Sequence, residues 1–152
     1  MVKKTLILLI LLVSCSESQT VIDESPKSLN SEEVLNLIFD SYKNFTNNPE
    51  KAVDTIWGFA HENNKEITGP KERFYQMLVT APYDSIIDLK EYSYEVTYEN
   101  KTNVHYEVKV LTKTNNYFVI TWVFEKTECP DSEEPCWLTI AVTAPAYFES
   151  GI

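Results

Sequence analysis

The chain has 152 residues, room for one domain, and carries 13 basic against 23 acidic side chains for a formal charge of −10. With 43% apolar and 24% charged residues it has the balance of an ordinary globular protein, which excludes a disordered chain and a multi-span membrane protein. The acidic surplus argues against nucleic acid or an anionic bilayer surface as the main partner, since both select basic patches. Three glycines leave no material for the usual glycine-rich phosphate loops.

Lys3 and Lys4 precede an unbroken apolar run from Leu6 to Val13, ended by Ser14-Cys15. A positive start, a short apolar segment and a small residue before the cut predict a secretory signal peptide over residues 1–14. The run is about half of the ~20 residues that a membrane-spanning helix requires. Leu12-Val13-Ser14-Cys15 resembles the lipobox of bacterial lipoproteins, which implies lipidation at Cys15, a membrane anchor through palmitate and related acyl chains, and a place in the cell envelope. Ser16, rather than Asp, after the cysteine implies the outer membrane if the envelope has two. Cleavage removes two of the basic residues and none of the acidic ones, leaving a charge of −12. Such a surface repels anionic headgroups, so the membrane is expected as a partner through the lipid alone. Residues 15–30 then read as the lipidated cysteine and a polar, flexible tether reaching roughly 20 Å.

Residues 31–152 read as a single domain. Asn30-Ser31-Glu32-Glu33 has the spacing of a capping box, and Val34, Leu35, Ile38, Tyr42 and Phe45 behind it form one apolar helix face. Asn48-Pro49 opens a second helix, expected to carry Ala52, Val53, Ile56, Trp57 and Ala60. His61 to Glu66 is polar and reads as a connection. Thr68-Gly69-Pro70 opens a short third helix that packs through Phe74, Met77 and Leu78. Beyond Pro82 the period becomes two. Tyr92, Tyr94, Val96 and Tyr98 share one strand face, Val104, Tyr106, Val108 and Val110 the next, with a turn at Asn100-Lys101. Tyr117 to Phe124 is apolar on both faces and predicts a central strand covered on both sides. Trp137 to Val142 makes the last long strand. The expected class is α+β: N-terminal helices packed on a curved, mostly antiparallel, cone-like sheet of four or more strands.

Helices leading into an antiparallel meander resemble the nuclear transport factor 2-like superfamily, also described as a cystatin-like cone. Trp57-Gly58-Phe59-Ala60, Asn63-Asn64-Lys65, Thr68-Gly69-Pro70, Arg73-Phe74, Met77-Leu78 and Pro82-Tyr83 resemble an uncharacterised branch of it, domain of unknown function 4864. The resemblance implies a helix-covered cone with a pocket at its mouth. It carries over no catalytic residues. Superfamily members include enzymes, binders and assembly modules, so the fold leaves function open.

Cys129 and Cys136 are the two cysteines left after lipidation of an exported chain, which predicts a disulfide across the last long hairpin. Glu128, Asp131, Glu133 and Glu134 crowd the same loop, but without a glycine or an EF-hand spacing they read as a solvated acidic tip. No metal and no cofactor is expected. His61 and His105, the two histidines, read as solvated side chains in a polar loop and on an open strand face; His105 is expected near Glu95 or Thr97 across the hairpin. Asp84 and Asp88 among many tyrosines are the nearest approach to an acid–base signature. The favoured reading is therefore a non-catalytic binding domain for a small apolar ligand or another envelope protein, with a hydrolase or isomerase using a carboxylate in the cone as the alternative. Trp57, Phe74, Tyr92, Tyr94, Tyr98 and Tyr106 are the candidate ligand-binding residues, at least two of them expected to line an open cavity.

Overall fold

The first helix, α1 (Ser31–Lys43), begins where the sequence places a cap: the Asn30 side chain accepts from the Glu33 backbone N–H at 2.9 Å, and Glu33 reaches back to Asn30 N at 2.7 Å. Val34, Leu35, Ile38 and Phe39 on its inner face are fully enclosed. A computed structural model describes residues 29–129 and 132–151. Signal peptide, Cys15 and most of the expected tether lie outside those residues, while Leu29 already packs against the core.

A short 3₁₀ turn (Phe45–Asn47) leads into α2 (Pro49–Gly58), capped by Asn48 and started by proline at its first position. This helix stops two residues before Ala60, because Phe59 to His61 turn away to meet the sheet. The polar stretch expected as a connection is a helix instead, α3 (Glu62–Thr68), with His61 as its cap: the ring Nδ1 accepts from Asn63 N at 3.1 Å. None of its residues is buried, so it has no apolar period by which a sequence could announce it. Next comes α4 (Lys71–Leu78), which buries Phe74 and Leu78, and then a second 3₁₀ turn (Tyr83–Ile86).

Five antiparallel strands form one curved sheet: β1 (Glu91–Glu99), β2 (Asn103–Leu111), β3 (Asn116–Cys129), β4 (Ser132–Val142) and β5 (Ala146–Ser150). β2 pairs along one side of β3. On the other side β4 takes the Trp122–Cys129 half and β5 takes Asn116–Val119. β5 is an element beyond the expected last strand. The central position of β3 is as expected, but burial alternates along it: Ile120, Trp122 and Phe124 are enclosed under the helices, while Val119, Thr121 and Val123 are half-buried on the opposite face. Among the described residues, helices cover one face of the sheet, not both.

The register also corrects the expected tyrosine stripe. Tyr92 pairs with Val110, Tyr94 with Val108 and Val96 with Tyr106, so these share the helix-covered side. A bulge between Val96 and Tyr98 then inserts one residue, and Tyr98 pairs with His105. One extra residue moves a side chain to the opposite face. Tyr98 is accordingly 49% exposed, its ring 4.8 Å from the His105 ring. His105 thus meets Tyr98, and Glu95 instead faces Glu107; Thr97 touches His105 only through a 3.3 Å bond from its hydroxyl to the His105 carbonyl.

Candidate ligand-binding cavity

The edge of β4 away from β3 is met by the link between α2 and α3. Thr139 N donates to Phe59 O at 2.7 Å, and His61 N donates to Thr139 O at 3.0 Å, forming a parallel bridge centred on Ala60. Asn64, one turn into α3, adds its side-chain amide to the same Thr139 carbonyl at 2.9 Å. Thr68 closes the turn by donating to Asn64 O at 2.6 Å. From the sheet side the Trp122 indole N–H donates to Thr139 Oγ1 at 2.9 Å, with both residues buried. Thr139 is therefore the junction of β3, β4 and the α2–α3 link.

Beside those ties lies a cavity of about 110 Å³. Trp122 lines it from the sheet, Tyr42 from α1, Ile56 from α2, Phe74 and Met77 from α4, and Tyr83 from the second 3₁₀ turn. Asn64, Thr68 and Thr139 supply the polar part of the lining. An apolar protein cavity of about 150 Å³ accommodates benzene, so this smaller, partly open space takes at most one ring. The wider depressions between α1 and α2 and between α2 and α4 carry charged residues such as Asp40, Lys51, Asp54 and Glu72 and lie on the surface.

Tyr42 is the unusual member of the lining. It is 2% exposed, and its hydroxyl makes no hydrogen bond among the described residues. Burial, reinforced by the neighbouring Tyr83 phenol, pushes its pKa far above the ordinary tyrosine value, so it stays protonated. No side-chain polar atom among the described residues is both fully enclosed and unpartnered. The phenol oxygen of Tyr42 therefore retains contact with open space, and the open space this residue borders is the cavity.

Of the six residues expected from sequence, Phe74 lines this cavity. Trp57 packs behind it, ring centroids 5.0 Å apart. Trp57 is held there by Gly69, where an added Cβ would lie 2.5 Å from the Lys65 carbonyl and 3.1 Å from the indole. Tyr92, Tyr94 and Tyr106 tie the sheet to α1: Tyr92 donates to Asn36 and Asp40, Tyr94 to Glu32 at 2.7 Å, and Tyr106 shares a bond with Ser31 at 2.9 Å. Tyr92 also borders a surface groove with Lys109 and Tyr117. Tyr98 lies on the far face. The other lining residues, among them Tyr42, Asn64, Tyr83, Trp122 and Thr139, were not anticipated as such. Tyr42 was legible as core, but the bridge that brings Asn64 to Thr139 spans 75 residues and has no local signature.

The sulfurs of Cys129 and Cys136 stand 2.01 Å apart, at disulfide distance, on the β3–β4 hairpin. Asp88, one of the two aspartates nearest an acid–base signature, is a clamp between layers. It sits at φ 55°, accepts from Thr46 N at 2.9 Å and from the Thr46 hydroxyl, and faces Lys113 at 3.7 Å. Partial burial works against its charge, yet the Thr46 bonds and Lys113 outweigh that and hold its carboxyl below the usual range. Asp84 is exposed in the second 3₁₀ turn.

No protein-family model matches the chain, and no curated protein or solved structure matches it either. Among the described residues no helix is long and apolar enough to cross a membrane.

Proposed function

We propose that this chain is an exported lipoprotein, anchored through Cys15 in the cell envelope and at the outer membrane where there are two. Its domain, a divergent member of the nuclear transport factor 2-like superfamily, holds a small neutral ligand in the cavity beneath α3 and α4 and performs no chemistry on it. One observation carries the ligand reading: among the described residues the cavity lining contains apolar side chains, hydroxyls and one amide, and no Asp, Glu, His, Lys or Arg. Moving a charged ligand out of water without an opposite charge to receive it costs several kcal/mol or more, so such a lining selects uncharged molecules. A hydrolase or isomerase reading requires a carboxylate facing the ligand, and the Asp88 carboxylate is engaged elsewhere by Thr46 and Lys113.

The test is a titration of the full chain with toluene and, separately, with benzoate, followed through the Trp122 indole N–H resonance. That proton bonds Thr139 at the cavity wall and reports locally. Toluene is expected to shift it saturably, with benzoate weaker by at least tenfold. Equal responses, or none from toluene, would refute the cavity as a site for neutral ligands.

A further inference from the structure

Buried hydroxyls in folded proteins almost always have a hydrogen-bond partner. Tyr42 is 2% exposed and lines the cavity, and its hydroxyl, without a hydrogen bond among the described residues, is not fully enclosed but keeps contact with open space. Its neighbours across the cavity are already engaged or oriented. Thr139 Oγ1 accepts from Trp122, and the Asn64 amide N–H donates to the Thr139 carbonyl.

We infer that Tyr42 is the specificity donor of the cavity, and that the ligand is a neutral, ring-sized molecule bearing a hydrogen-bond acceptor, such as a carboxamide carbonyl. This rests on the neutral-ligand reading above and sharpens it. Three features set the ligand class. The volume of about 110 Å³ limits the enclosed part to one ring. The uncharged lining rejects ions. A buried donor left without a partner penalises ligands that lack an acceptor, because filling the cavity with hydrocarbon removes the phenol from any solvent it reaches. Tyr83, whose phenol lies close enough to raise the Tyr42 pKa, lines the same cavity.

The experiment uses the full chain, with benzamide and toluene as probes and the Trp122 indole resonance as readout, in the wild type and in Tyr42→Phe. Benzamide is expected to bind the wild type, to lose on the order of tenfold in affinity in Tyr42→Phe, and to leave toluene binding equal or tighter in the variant. A second measurement needs no variant: the carbonyl stretch of isotope-labelled benzamide should fall on binding the wild type, relative to its position in an aprotic solvent. Benzamide binding unchanged by Tyr42→Phe, with no fall in the carbonyl stretch, would assign the phenol to solvent and overturn the inference while leaving the neutral-ligand reading in place. Failure of both probes in the wild type would overturn both.

Discussion

Three phenols reach from the sheet to one helix, and what each does is decided by its hydroxyl, not its ring. Tyr92, Tyr94 and Tyr106 were legible as an aromatic face from their spacing, but a spacing of two residues cannot tell a ligand contact from a tie between layers. The partners that decide it, Ser31, Glu32, Asn36 and Asp40, lie more than 50 residues away in the chain. Tyr92 has the clearest consequence. Burial first, then the adjacent Asp40 carboxylate, raises its pKa from 10.0 to about 12. The folded state thus favours the neutral phenol. Its contribution is fully present below pH 10.0 and is lost as the pH rises through about 12. Tyr92→Phe should cost ~1 kcal/mol or less at neutral pH through the lost hydrogen bond, and it should flatten the decline of stability across that alkaline window. Denaturant unfolding of both proteins at the two ends of the window measures this; parallel pH profiles would show that Tyr92 titrates as it does in the unfolded chain.

At the level of elements, those with chemical punctuation were readable and those without it were not. α1 and α2 open on asparagine caps, α2 also on proline, and α4 follows Gly-Pro. α3 buries nothing and β5 is exposed throughout, so neither carries the apolar alternation that marks an element. The bulge at Thr97 was invisible for a different reason: it is a property of the β1–β2 pairing, not of β1 alone. The β3–β4 hairpin was legible from the apolar runs 117–124 and 137–142, and the cysteines between them stand at disulfide distance. Replacing both Cys129 and Cys136 by serine should lower stability by about 2–3 kcal/mol in the chain-entropy model. Amide exchange is expected to rise most around residues 125–138, and less at Trp122 and Thr139, held by the bridge to Ala60. A denaturant midpoint unmoved by the double substitution would refute the stabilisation.

For the whole molecule, the α+β class and the direction from helices to sheet were legible, because periodicity changes once, near Pro82. The cavity was not, since it exists only where the α2–α3 link crosses to the edge of β4. Anchoring belongs to this scale too. Cys15→Ser should abolish the lipid mass increment and move the protein out of the membrane fraction or leave its signal peptide uncut; intact mass and fractionation unchanged by the substitution would refute the lipoprotein reading. Under the proposed anchoring the domain would meet its own copies side by side, and there the free edge of β1 would matter. That strand has no partner on its outer side among the described residues, so its backbone donors and acceptors form a template for strand addition. Glu91, Glu95 and Glu99 are exposed along it, and the bulge at Thr97 breaks its straight run. Glu95 even faces Glu107 across the pair, a like-charge arrangement that costs sheet stability. Two such edges brought together would oppose carboxylate to carboxylate on kinked backbones, so crowding in two dimensions raises the local concentration of this domain without seeding a growing intermolecular sheet.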